Sequence, residues 1–290
     1  MEKVPYQHTP VMPVEVINSL NLAPGKTIVD CTLGGGGHTE KIKLQIPNCK
    51  IIAFDQDGEA LTAAKERLRP FSDITYIHSN FAGLKEHLTA KADGFLFDLG
   101  VSSYQLDEPE RGFSIRQNGP LDMRMNKTQA LSAFDIINTY SATELEAIIL
   151  EYSQERFARR ISQAIVRARE TNPIKTTEQL KIVIEKAIPT WKKRESITRV
   201  FQALRIVVNN ELETLKKALN DAIELLNPGG RIVVIAYHSL EDRIVKQTFR
   251  AGIQSGILKR ITKKPLLAQA EELAANPRAG SAKLRAAEKI

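Results

Sequence analysis

Asp30-Cys31-Thr32-Leu33-Gly34-Gly35-Gly36-Gly37-His38 follows the apolar run Thr27-Ile28-Val29 and opens an amphipathic segment. A second apolar run, Ile51-Ile52-Ala53-Phe54, ends in an acid, Asp55. Strand, glycine turn, helix, strand, acid is the layout of a nucleotide-type cofactor site. The glycines let backbone approach a ligand closely, and the acid is placed to accept ribose hydroxyl hydrogens.

Working outward, strands are expected at 27–31, 50–55, 74–78 and 93–98, and helices near 37–46, 57–69 and 81–90. Short apolar runs alternating with helical patterns predict a parallel sheet with helices on both faces. The fourth run, Gly94-Phe95-Leu96-Phe97-Asp98-Leu99-Gly100, suits a central strand whose carboxyl end meets a ligand. The rhythm stops at Ser102. A loop rich in Gly, Pro, Asp and Ser runs to Pro120, and from about Gln129 to Leu226 the pattern is helical, with one long helix expected from near Arg199 to Leu226. After Asn227-Pro228-Gly229-Gly230 comes the clearest strand, Arg231 to Tyr237. From Ala251 onward the chain reads as basic and weakly patterned. The economical organisation is one α/β domain, 1–107 and 208–290, interrupted by a helical domain at 108–207.

The 290 residues carry a net charge of +7, unevenly spread. Glu155 to Arg205 holds 13 Lys and Arg against 5 Asp and Glu, and Ala251 to Ile290 holds 8 against 3. A polyanion held at one face and a set of solvated helix faces with a basic tail both fit this distribution. No run approaches the ~18 apolar residues of a bilayer span. The N-terminus lacks a signal-peptide pattern, so a cytoplasmic location is expected. The two cysteines, Cys31 and Cys49, read as buried apolar residues and not as a disulfide framework.

The glycine turn lacks the third glycine of a dinucleotide fingerprint, since Thr39 stands there, and no phosphate-cradling G-x-x-x-x-G-K-[ST] occurs. An acid before the turn and an acid ending the second strand fit S-adenosyl-L-methionine better. Asp30 is placed to help hold its ammonium end and Asp55 its ribose.

Longer motifs then narrow the reading. Tyr6 to Met12, Asp30 to His38, Asp98-Leu99-Gly100-Val101-Ser102-Ser103-Tyr104-Gln105-Leu106-Asp107, Glu110-Arg111-Gly112-Phe113-Ser114, Gly119-Pro120-Leu121-Asp122-Met123-Arg124-Met125 and His238-Ser239-Leu240-Glu241-Asp242-Arg243 closely resemble the RsmH (MraW) family over nearly the whole chain. That resemblance implies a class I S-adenosylmethionine-dependent methyltransferase: α/β, Rossmann-like, mostly parallel sheet, with an inserted all-helical domain. It implies N4-methylation of a cytidine in the decoding region of 16S rRNA, with the small ribosomal subunit as partner and a homodimer compatible. The family's cofactor contacts map onto Gly36, Gly37, His38, Asp55, Phe81, Asp98 and Gln105. The chain departs from the family late: the segment after Arg243 is short, and Gly280 stands where a basic residue is common.

A cytosine amine is a weak nucleophile because its lone pair is delocalised into the ring. A site that methylates it must hold the nitrogen in line and place acceptors on its hydrogens. Asp98 is the candidate acceptor, alongside its cofactor-contact role. Amino methyltransferases of DNA often have [DNS]-P-P-[YFW] here, and Asp98-Leu99-Gly100-Val101 keeps only the acid. Methylation at ring carbon C5 needs a thiolate, and neither cysteine lies after the fourth strand. His38 reads as a helix cap lining the pocket, or as a base. His8 and His238 read as structural or base-contacting, and Glu241, Asp242 and Arg243 as cap and ion pair or as RNA contacts. Tyr104 and Phe113 are candidates to stack on an extruded base or to anchor a loop. Trp191 reads as an RNA contact or as a packing residue, and beside it the trio Lys192, Lys193 and Arg194 is the preferred RNA contact. Two rival readings stay open: a methyltransferase acting on protein or a small molecule, and a cofactor-binding RNA chaperone that does no chemistry.

Overall fold

The computed structural model describes residues 10–290. The chain divides into two units, one comprising the described residues through Ser102 together with Leu212–Ile290, the other Ser103–Glu211. The helical unit is thus a few residues wider at each end than the 108–207 segment read from the sequence.

The first unit runs α1 (Pro13–Leu20), β1 (Thr27–Asp30), α2 (Gly37–Gln45), β2 (Lys50–Asp55), α3 (Gly58–Arg67), β3 (Ile74–His78), a 3-10 turn (Phe81–Gly83), α4 (Leu84–His87) and β4 (Ala92–Asp98). The helix expected near 81–90 is therefore a 3-10 turn and one α-turn. Asn80 caps it by accepting from the Ala82 N–H at 2.8 Å.

The helical unit carries α5 (Ser103–Asp107), α6 (Ala133–Thr139), α7 (Ala142–Ser153), α8 (Ala158–Thr171), α9 (Thr177–Ala187) and α10 (Lys193–Val208). Then follow α11 (Glu211–Leu225), β5 (Leu226–Ala236), α12 (Ser239–Gln254), β6 (Leu258–Arg260), α13 (Ala270–Ala275) and β7 (Lys283–Lys289).

The sheet of the described residues has seven strands in the order β3-β2-β1-β4-β5-β7-β6. β1 to β5 are parallel, while β7 runs antiparallel to β5 and to β6. Side chains of successive strand residues point to opposite faces. Val29, Phe95, Phe97, Ile232 and Val234 pack into one core with α11 and α12. Their neighbours Ile28, Leu96, Val233 and Ile235 pack into the other with α1, α2 and α3. Burial on both faces is why these strands read as unbroken apolar runs.

Two sequence expectations are corrected. The single helix from Arg199 to Leu226 is broken at Asn209-Asn210. Asn210 is left-handed (φ 48°). The Asn209 amide donates to the Arg205 carbonyl at 2.9 Å and the Met123 carbonyl at 2.8 Å, ending α10. Asparagine tolerates this conformation better than most side chains. Second, the segment after Ala251 is not unpatterned. It supplies β6 and β7, and β7 pairs with β5 from Arg231↔Glu288 to Ala236↔Lys283.

Three helices of the second unit, α6, α7 and α9, begin on sequence-encoded caps. Ser132/Asp135, Ser141/Glu144 and Thr176/Gln179 each form a capping box. The motifs around 110 and 120 close on one another. The buried Arg111 guanidinium donates to the carbonyls of Arg124 and Met125, both at 3.0 Å. A Cβ on Gly119 would lie 1.8 Å from the Pro109 carbonyl oxygen, so this approach requires glycine.

Candidate active site

Parallel strands end their carboxyl tips along one edge, and here β1, β2 and β4 end in Asp30, Asp55 and Asp98. The glycine turn between β1 and α2 threads among them. Gly34 and Gly36 adopt φ of 52° and 77°. A Cβ on Gly36 would stand 2.9 Å from Leu68 Cδ1, so both conformation and packing demand glycine there.

Each acid is differently engaged. Asp30 is buried beneath the turn. Its Oδ2 accepts from the Thr39 hydroxyl at 2.7 Å and its Oδ1 from the Thr32 N–H at 3.2 Å. Burial raises its pKa, offset in part by Thr39. It shapes the turn and does not present itself to a ligand's ammonium, as the sequence had suggested. Asp55 accepts from the Gly34 N–H at 2.7 Å and the Asp57 N–H at 2.8 Å, one on each oxygen. Burial pushes its pKa to about 6 despite these donors. A carboxylate offers about four lone-pair sites, so capacity remains for a ribose diol.

Asp98 is partly exposed. Its own N–H donates to the Thr32 hydroxyl at 2.7 Å, tying β4 to the glycine turn. Tyr237, just past β5, donates its phenol to Asp98 Oδ1 at 2.7 Å. Burial, and then the charge of Asp98, hold the Tyr237 phenol well above its ordinary pKa, so it stays a donor. His38 places Nε2 3.4 Å from Asp98 Oδ2, and this buried nitrogen has no hydrogen-bond partner among the described residues. His38 is the second residue of α2, whose N-cap is Gly36 without a side-chain bond, so His38 is not the cap.

The structure thus brings Gly36, Gly37, His38, Asp55 and Asp98 to one edge of the first unit. Phe81 opens the turn after β3, its ring edge-to-face with Phe97 at 5.7 Å. Gln105 is buried on α5 of the helical unit. Sequence reading missed Tyr237 and Thr32. The only signal for Tyr237 was its place directly after the clearest strand.

The other candidates resolve into structural roles. His238 N-caps α12 in a capping box with Glu241. Glu241 Oε2 also accepts from the Tyr237 N–H at 2.8 Å. Asp242 forms a two-pronged pair with Arg285 at 2.7 and 3.2 Å. Phe113 is 7% exposed with the Arg111 guanidinium over its ring, so it anchors its loop and offers no stacking face. Tyr104 lies half-buried on α5. His8 lies outside the described residues. Cys31 is buried and its thiol pushed well above the ordinary pKa by burial, which leaves it inert as a nucleophile.

A nucleoside-sulfonium ligand fits this edge. Asp55 offers acceptors for a diol, Asp98 offers negative charge near a cation, His38 has an unused polar nitrogen, and the turn has no side chains in the way. A parallel sheet with a reversed last-inserted strand, acids ending its second and fourth strands and a glycine turn between them define a class I S-adenosylmethionine-dependent methyltransferase. The model of the MraW methylase family matches residues 5–290, and the chain belongs to that family. It is 48% identical to the ribosomal RNA small subunit methyltransferase H of Finegoldia magna, over 98% of this chain and 99% of that one. The protein of the same name from a Nostoc species is 48% identical over 100% and 95%. That of Clostridioides difficile is 46% identical over 98% and 99%.

Proposed function

We propose that this protein transfers a methyl group from S-adenosyl-L-methionine to the N4 amine of a cytidine, position 1402, in 16S rRNA of the small ribosomal subunit. The observation that carries the reading is the placement of Asp55 and Asp98 at the ends of β2 and β4, the two strands that flank β1 and its glycine turn, in a chain of this family.

When bound, the cofactor supplies an electrophilic methyl on a sulfonium. The protein's own groups do the rest. Asp55, once ionised, accepts the ribose hydroxyls while the Gly34 and Asp57 amides hold its two oxygens in place. Gly36 and Gly37 present bare backbone to the ligand. Phe81 completes the first unit's cofactor contacts in this reading. Asp98, fixed by Tyr237 and by its own N–H on Thr32, directs a carboxylate oxygen at the cytosine amine. Accepting an amino hydrogen localises the lone pair for in-line attack, and such preorganised acceptors need no reorganisation at the moment of reaction. His38 sits beside Asp98 Oδ2 as the nearest group to receive the released proton.

The inserted helical unit, with the basic Glu155–Arg205 stretch, supplies RNA contacts. The same reading places the protein in the cytoplasm with the ribosomal subunits. Among the described residues no helix is long and apolar enough to cross a membrane. A homodimer is compatible with this reading, and sedimentation velocity decides it.

Incubation with tritiated S-adenosylmethionine and small subunits from cells lacking this protein tests the proposal. Label is expected in 16S rRNA as N4-methylcytidine. Label in protein, or none with a folded enzyme, overturns it.

A further inference from the structure

The protein's single tryptophan, Trp191, is 70% exposed. It lies in the 3-10 turn Thr190–Lys192 that joins α9 to α10. Water rarely touches so much of an indole without cause, because this ring is among the most costly apolar surfaces to leave wet. The ring is also held by cations. The Arg156 guanidinium lies 5.0 Å from its centroid and 4.6 Å from that of Phe157. The Lys192 ammonium lies 5.4 Å from the Trp191 ring, and Arg160 lies 6.0 Å from Phe157.

The acids around this cluster are already engaged. Glu195 pairs with Lys192 and, at 2.6 Å, with Arg199. Glu155 is buried, with Arg199 3.6 Å away. Arg156, Arg159, Arg160 and Arg194 are all exposed, Arg159 and Arg160 on α8 and Arg194 three residues after Trp191 in sequence. An exposed indole with cations beside it matches an unpaired nucleotide: the base stacks, and the flanking phosphates meet guanidinium and ammonium groups. A paired base has no free face to offer. A protein partner would not require this excess of positive charge.

We propose that Trp191, oriented by Arg156, is a stacking platform for an unpaired base of the RNA substrate, with Arg159, Arg160, Lys193 and Arg194 taking neighbouring phosphates. This inference rests on the reading of the chain as an RNA methyltransferase. It takes up the RNA-contact reading of Trp191 and makes the indole the specific element beside the basic trio.

Because Trp191 is the only indole, its fluorescence reports the platform directly. The full chain is titrated with an unstructured pyrimidine-rich RNA 12-mer, with heparin as a polyanion lacking bases, and with phosphatidylserine vesicles. Saturable quenching by RNA, with heparin binding but leaving the emission unchanged, is the expected result. By anisotropy of labelled RNA, Trp191→Ala should weaken binding on the order of tenfold and Trp191→Phe should restore most of it. Affinity for S-adenosylmethionine should be unchanged in both variants, which confirms their folding.

RNA binding with unaltered emission and an unaltered Trp191→Ala affinity overturns the platform. So does a response to vesicles without one to RNA. Methyl transfer by the wild-type protein is measured alongside. A wild-type enzyme that labels 16S rRNA but shows no quenching refutes the platform alone.

Discussion

Tyr237 and Asp98 stand 139 positions apart in sequence and share a hydrogen bond of 2.7 Å at the carboxyl ends of adjacent parallel strands. The bond follows from register. β4 and β5 pair with Asp98 opposite Ile235, so the residue two beyond Ile235 reaches back to the carboxylate. The site's acid is therefore oriented by the same strand pairing that builds the core.

Tyr237→Phe keeps the ring and removes the donor. A hydrogen bond to a charged group contributes about 1.5–3 kcal/mol, so single-turnover methyl transfer should slow roughly ten- to a hundredfold. The melting temperature should change little. Asp98→Ala should be more severe, and unchanged methylation by that variant at saturating cofactor would remove Asp98 from both its assigned roles.

Asp55 ties cofactor affinity to pH. Its carboxyl titrates at about 6 in the free protein, raised by burial. Ribose hydroxyls bind the ionised form, so affinity for S-adenosylmethionine should fall as pH drops through 6, by about tenfold at pH 5 relative to pH 7. Stability has the opposite sign. A carboxyl whose folded pKa is raised binds more protons folded than unfolded, so its contribution is present at low pH and lost as pH rises through about 6. Asp55→Asn should flatten both profiles, read by calorimetry and by thermal melts.

Gly36→Ala meets two obstacles, a left-handed φ and Leu68 Cδ1 at 2.9 Å from the new Cβ. A left-handed non-glycine costs about 1–2 kcal/mol, before any shift of Leu68. A fall of a few degrees in melting temperature is expected, with a larger loss of cofactor binding because the turn itself moves. Restored binding in Gly36→Ala combined with Leu68→Ala would assign the loss to packing.

Replacing Cys31 and Cys49 together with Ala should leave methyl transfer intact. Both thiols are pushed up by burial and neither is nucleophilic at neutral pH. Complete inactivity in a variant that still melts cooperatively would point to a thiolate mechanism.

Affinity for small subunits should drop on the order of a hundred- to a thousandfold between about 50 and 200 mM salt if a handful of phosphates meet the basic stretch. A flat dependence, measured by filter binding, would contradict an electrostatic role for Glu155–Arg205.

Much of this was legible in the sequence for one physical reason. Central parallel strands are apolar on both faces, so Thr27 to Asp30, Lys50 to Asp55 and Ala92 to Asp98 stand out as runs that end in acids. The acids mark the edge where side chains leave the core, and Asp55 and Asp98 were found that way. What escaped depends on pairing that the chain does not announce. Lys283 to Lys289 mixes four charged residues with Leu284, Ala286 and Ala287 in no strict alternation, and it pairs with β5 as a strand. The break at Asn209 needed the Met123 carbonyl, which comes from a distant loop. Tyr237 had no signal beyond its place directly after the clearest strand, since its partner lies on another strand. Asp30 was misread because its burial, with Thr39 and Thr32 as partners, could be seen only in three dimensions.

Isothermal calorimetry of the folded protein with S-adenosylmethionine at pH 7.5 tests the pocket most directly. One molecule should be taken up per chain, and Asp55→Ala should abolish the uptake without unfolding the protein. A wild-type chain that melts cooperatively yet takes up no S-adenosylmethionine would contradict the account at its centre.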